Sequence, residues 1–202
     1  MEYVNPVIYQ HGLEGDGYIS PCEKYFWVKI PKCASTYIEN LLISLDWKID
    51  NYRHRDDKDS LIYFSVLRDP IDRWISGIVE YLTINKIELS DLSDVAIKLI
   101  FDAKTFDRHT QNQCYYLESI NLQNTIFFKF DQQLSKNLEN WFNSQNLKFN
   151  PAIENKKQNK SIERSQKLLF FKELTDGNYK KNITEWYNYE LYQILPCVKF
   201  YD

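Results

Sequence analysis

Residues 24–45 read KYFWVKIPKCASTYIENLLISL, and the fold follows from how this stretch divides. Lys24–Ile30 is short, aromatic and β-branched, the composition of a buried strand. Pro31 stops it. From Ser35 to Leu45 the apolar residues Ile38, Leu41, Leu42 and Leu45 fall at helical spacing, which predicts a helix. The chain therefore passes from strand to helix through Ile30-Pro31-Lys32-Cys33-Ala34-Ser35-Thr36. A tight turn of this kind aims backbone N–H groups at one point, where the helix dipole also favours an anion. Lys32 adds a mobile positive charge, and Ser35 and Thr36 add hydroxyl donors. In physical terms this is a phosphate cradle. It lacks the glycines and the terminal Gly-Lys-Ser/Thr of a nucleotide-triphosphatase loop, so it does not suit a magnesium-bound triphosphate. A plainer reading stands beside it, in which Ser35 caps the helix and Lys32 is solvated.

The next element points the same way. LIYFSVL (Leu61–Leu67) is a second buried strand, and Arg68 leaves its end. Asp69-Pro70 then opens a helix over Ile71–Ile87, with Pro70 suited to the first turn. Ser76 lies eight residues after Arg68, about two helical turns, so both can face one phosphate. Arg68 would bind it by a bidentate charge-assisted contact and Ser76 by its hydroxyl. The alternative is that Arg68 pairs with Asp69 or Asp72.

Outward from these two elements, the pattern predicts helices over Asp91–Ala103 and Asp107–Leu117. A third strand follows at Asn124–Phe130, then a helix over Gln132–Gln145. Asn150–Ser161 is polar and basic, a loop, and helices over Glu163–Leu174 and Asn178–Leu195 precede Pro196. Residues 1–23, with Pro6, Gly12, Gly15, Gly17 and Pro21, read as an irregular lead-in, and Lys48–Ser60 as a polar connection. Strands alternating with helices predict an α/β fold. The expectation is a single P-loop-like domain with a central, mainly parallel sheet flanked by helices.

Bulk properties narrow the function. The chain has 202 residues, 44% hydrophobic and 26% charged, which suits one globular domain. A formal net charge of −3 argues against broad nucleic-acid binding, so an anionic ligand needs a local basic pocket. Cys22, Cys33, Cys114 and Cys197 are far apart, with no spacing for a zinc site or a disulfide framework. The N-terminus has no basic start followed by an apolar run, and no stretch of 18 apolar residues occurs. The expectation is a soluble, cytoplasmic protein with no membrane span and no metal.

Taken in order, IPKCAST and VLRDPIDRWISG resemble the two nucleotide-binding motifs of the sulfotransferases that use 3′-phosphoadenosine 5′-phosphosulfate (PAPS). The first is similar to their 5′-phosphosulfate loop, the second to their 3′-phosphate motif with its Arg and Ser spacing. FDRHTQNQ (Phe106–Gln113) resembles a segment of the Golgi carbohydrate branch that contains a His and a following Gln. The strand and helix after it, IFFKFDQQLSKNLENWF, also resemble the family, although Lys129-Phe130-Asp131 departs from an Arg-Tyr-Glu-Asp type sequence. Asn159, Lys160 and Ser161 resemble the late basic loop that closes over the nucleotide. The final helix is similar too, with Asn188 where Asp is frequent. The resemblance runs from Lys24 to Leu195 and leaves out the lead-in and residues 48–60.

The resemblance implies in-line transfer of a sulfuryl group from PAPS to an acceptor hydroxyl, with a carbohydrate as acceptor and adenosine 3′,5′-bisphosphate leaving. Catalysis of this kind rests on positioning and charge stabilisation. Lys32, with the backbone of Cys33, Ala34, Ser35 and Thr36, is placed to stabilise the leaving oxygen. The acceptor must lose a proton, and two residues are candidates for the base. His109 lies in the segment resembling the carbohydrate branch; Glu80 lies four residues after Ser76 on the same helix. Gln113, four residues after His109 on the same predicted helix, would orient the base or touch the acceptor. Arg108, Arg73 and Lys129 are candidates for an acidic sugar, or solvated surface charges. Two rival classes remain: a P-loop-type kinase, and a non-catalytic nucleotide-binding relic.

Overall fold

The structure, a computed structural model, describes residues 15–118, 120–153, 162–188 and 198–201. Five strands form one sheet: β1 (Asp16–Ile19), β2 (Tyr25–Val28), β3 (Lys48–Asn51), β4 (Ile62–Leu67) and β5 (Thr125–Lys129), in the order β3-β1-β2-β4-β5. Among the described residues seven helices accompany it: α1 (Ser35–Ile43), α2 (Pro70–Ile84), α3 (Asp94–Ala103), α4 (Gln113–Tyr116), α5 (Leu134–Ser144), α6 (Ile162–Asp176) and α7 (Lys180–Asn188). The fold is α/β, with helices flanking the sheet. None of these helices is long and apolar enough to cross a membrane.

The sheet is mixed: the expected parallel pairing holds for β2, β4 and β5, and β1 and β3 add an antiparallel part. β2, β4 and β5 run parallel, with Trp27 opposite Phe64 and Leu67 opposite Lys129. β1 is antiparallel to both β2 and β3. Both antiparallel strands come from stretches read as irregular or as a connection. In β1 the glycine that looks like a breaker is a strand residue. A Cβ on Gly17 would lie 1.8 Å from the Trp27 carbonyl oxygen, so only glycine allows the β2 backbone this close. β3 is a polar edge strand, Lys-Ile-Asp-Asn, with no buried position, so it carries no hydrophobic alternation to detect.

The parallel strands are buried on both faces and read as continuous apolar runs, as such strands must. Two apolar clusters hold the chain together. One joins the sheet to α1 and α5 through Phe26, Trp27, Phe64, Phe128, Trp141 and Phe142. The other is helical, built on Trp74, Ile78, Phe101, Phe171, Ile183 and Tyr187 of α2, α3, α6 and α7. The carboxyl ends of β2 and β4 lie side by side, and each feeds a helix directly.

The helix expected over Asp107–Leu117 is replaced by a turn and the short α4. The Asp107 carboxylate accepts from the backbone N–H groups of His109 and Thr110, which offers the chain a local alternative to helix. Asn112 then caps α4 by accepting from the Tyr115 N–H at 3.0 Å. The last helix is described to Asn188, and its expected continuation lies outside the described residues.

Candidate functional site

The turn between β2 and α1 is built from left-handed backbone. Lys32 has φ 67° and Ala34 φ 57°, both without the freedom of glycine. Such residues carry roughly 1–2 kcal/mol of strain each and concentrate where a loop has work beyond connection. The N-cap of α1 is Ala34, which offers no side-chain hydrogen bond, so Ser35 is not the cap. Among the described residues no side chain accepts from the first-turn N–H groups of α1. Ser35 is half-buried and Thr36 exposed beside them. Cys33 between the two strained residues is buried, its thiol donating to Gln113 Oε1 at 3.3 Å.

Arg68 leaves β4 toward the same turn. Its Nη1 donates to the Lys32 carbonyl at 3.5 Å, and its guanidinium lies 4.9 Å from the ring centre of Phe130, at the end of β5. Phe130 belongs to the triplet that departs from the family pattern, and here it forms a face for the cation. Asp69, the suspected partner of Arg68, instead caps α2 by accepting from the Asp72 N–H at 2.9 Å. Among the described residues no carboxylate forms an ion pair with Arg68. Burial therefore pulls its pKa below the ordinary value, with Asp72 nearby offsetting only part of that. An arginine stays charged regardless, so this is a partly desolvated cation short of an anion. Ser76, on α2, is buried with its hydroxyl unbonded to any described residue.

Lys32 and Glu80 meet at 3.1 Å, and Arg164 of α6 reaches the same carboxylate oxygen at 2.7 Å. Burial lowers the Lys32 pKa, and the attraction of Glu80 does not fully offset it, with Arg164 and Arg68 adding repulsion. For Glu80, burial acts to raise the pKa, but Lys32 and Arg164 outweigh it and hold the carboxyl below its ordinary range. Glu80 is thus an ionised counter-charge, and a carboxylate held by two cations with its proton affinity lowered is a weak proton acceptor. Arg164 carries no signal in the sequence, because its partner is 84 positions away.

His109 sits in the Asp107 turn. Its Nδ1 lies 2.7 Å from Asp107 Oδ2, with the side chains 16% and 7% exposed. Two features hold this turn on α2. Arg73, fully buried, donates to the carbonyls of His109 at 3.1 Å and of Gln111, and to that of Pro31 in the cradle at 3.4 Å. Gly77 lets the turn approach, since a Cβ there would meet the His109 carbonyl oxygen at 2.1 Å. Arg73 is therefore a structural cation and not a solvated surface charge or a sugar ligand.

Gln113 does not share a helix face with His109, because no helix joins them. It is buried and clamps the Arg68 backbone, accepting from its N–H at 3.0 Å and donating to its carbonyl at 2.9 Å. It ties Cys33, Arg68 and α4 into one unit. Arg108 and Lys129 are exposed. Asn159, Lys160 and Ser161 lie outside the described residues.

Lys32, Arg68, Glu80 and Arg164 thus converge at the carboxyl ends of β2 and β4. His109 is tied to the same scaffold through Arg73. Comparison with protein-family models, curated proteins and solved structures finds no match.

Proposed function

We propose that the chain is a PAPS-dependent sulfotransferase acting on an acceptor hydroxyl, with a carbohydrate as the acceptor class. The observation that carries this reading is Arg68, a partly desolvated guanidinium hydrogen-bonded to the cradle backbone with no carboxylate ion-paired to it among the described residues. It supports an anion at the Arg68 motif, while Lys32 supports a second anionic group at the neighbouring cradle. A ligand with separated phosphate groups matches that pair, and the glycine-free cradle argues against a triphosphate. The P-loop-like identity of the fold rests on the same strand–turn–helix cradle. The carbohydrate acceptor rests on the resemblance of Phe106–Gln113.

PAPS, when bound, supplies an activated sulfuryl group. Arg68 and Ser76 would hold its 3′-phosphate, and Lys32 with the N–H groups of Cys33 to Thr36 its 5′ end. Asn159, Lys160 and Ser161 are proposed to contribute to the nucleotide side. Lys32 supplies positive charge where the leaving oxygen becomes negative, a role in which one preorganised donor is worth on the order of 10²–10³ in rate. His109 is the proton acceptor favoured by an imidazole held at Nδ1 by Asp107, and by the two cations that already engage the Glu80 carboxylate. Gln113 acts at one remove, by fixing the backbone from which Arg68 projects.

Thermal unfolding with adenosine 3′,5′-bisphosphate tests the reading. Ligand at a hundred times its dissociation constant should add about 2.7 kcal/mol of stability, a rise of roughly 5–10 °C at this size. The rise should shrink in Lys32→Ala and Arg68→Ala. No rise in the unmodified protein at millimolar ligand would sink the proposal. Binding without turnover of PAPS on any hydroxyl acceptor would favour the non-catalytic relic.

A further inference from the structure

We infer, resting on the sulfotransferase reading for the reaction itself, that Asp107 is the positioning residue that fixes His109 as the Nδ1–H tautomer and leaves Nε2 to accept the acceptor's proton. The two oxygens of Asp107 divide their work. Oδ1 builds the turn, accepting from the N–H groups of His109 at 2.8 Å and Thr110 at 3.2 Å. Oδ2 is not needed for the turn and lies 2.7 Å from the ring Nδ1. A carboxylate can only accept, so Nδ1 must carry the hydrogen.

The turn that carries the pair is itself fixed. Arg73 holds its carbonyls from one side, and the close approach at Gly77 seats it on α2. Thr110, fully buried, closes it by accepting through its hydroxyl from the Phe106 N–H at 2.7 Å and donating to the Asp107 carbonyl at 3.0 Å. A ring held by a carboxylate on a rigid turn is the supporting arrangement that an efficient base requires. In the reaction, the acceptor oxygen bonds to sulfur while its proton passes to Nε2. The sulfur–oxygen bond to the phosphate breaks, and its electron pair leaves with the bisphosphate. The imidazolium that results stays beside the Asp107 carboxylate, which neutralises it.

Long-range ¹H–¹⁵N correlation spectra of the ligand-free protein read the tautomer directly. Only three histidines are present, and the His109→Gln spectrum identifies the resonances that belong to His109. The expected result is a pattern of protonated Nδ1 and unprotonated Nε2 that Asp107→Asn disturbs. Turnover should fall by about 10²–10⁴ in kcat in that variant, with the KM for PAPS and the bisphosphate-induced thermal shift unchanged. A wild-type spectrum with the hydrogen on Nε2 overturns the inference, and needs no variant that folds. So does an Asp107→Asn protein with unchanged tautomer and kcat. A protein with the Nδ1–H pattern that neither binds the bisphosphate nor turns over PAPS takes the sulfuryl-transfer role from the pair, and separates that failure from an error in the tautomer.

Discussion

Glu80 receives two cations on one oxygen, Lys32 from the cradle and Arg164 from α6. Removing its charge leaves Lys32 partly desolvated with no counter-ion in contact among the described residues. Glu80→Gln should therefore lower ligand-free stability by about 1–3 kcal/mol, read by chemical denaturation at neutral pH. The pH dependence has a definite sign. The folded pKa of Glu80 lies below its ordinary 4.5, so its contribution is complete above that value and disappears as pH falls through the folded one. The gap between wild type and variant should close in that acidic window. At neutral pH the variant should show a larger thermal shift with the bisphosphate than wild type, because an internal anion no longer competes for Lys32. Retained turnover would leave His109 as the base; its loss in Glu80→Gln with retention in His109→Gln would give that role to Glu80. Lys32, Arg68 and Ser76 are candidates that sequence can raise, because each belongs to a local strand–turn–helix spacing. The clamp that Gln113 places on Arg68 and the burial of Arg73 are not readable from sequence. Their partners lie 45 and 36 positions away, where spacing says nothing.

At the scale of elements, α2 is the piece on which the site depends. It carries Ser76 and Glu80, starts at the Asp69 cap, and receives the Asp107 turn at Gly77. Alanine at position 77 favours an isolated helix by about 1 kcal/mol, but its methyl would strike a backbone carbonyl that cannot swing away. The overpacking penalty of about 1–3 kcal/mol should win. Gly77→Ala should lower stability and shift the His109 ring resonances, whereas an unshifted ring would mean the turn is not seated there. β2, β4 and β5 were readable because strands buried on both faces must be apolar throughout. β1 and β3 were not, one because its glycine accommodates a neighbouring strand, the other because an edge strand can be polar. The false helix over Asp107–Leu117 arose because apolar spacing does not register a carboxylate that bonds its own backbone.

For the whole molecule, the two apolar clusters explain where the site lies. Lys32 comes from the turn leaving the sheet cluster; Glu80 and Arg164 come from the helical one. A ligand at Lys32 and Arg68 therefore bears on both halves of the core. The α/β class was legible from strand–helix alternation, and the mixed pairing was not, because pairing direction is a property of the assembled sheet. The cradle also contains its own clock. Cys33 is 1% exposed beneath the strained turn, while Cys22 is exposed at the surface. A thiol reagent reaches Cys33 only in the moments when the turn opens, and Cys22 reacts throughout as an internal standard. The ratio of the two labelling rates, followed by peptide mass spectrometry, counts those openings. Adenosine 3′,5′-bisphosphate should lengthen the interval between them, and equal rates for the two thiols would mean that the turn is seldom shut.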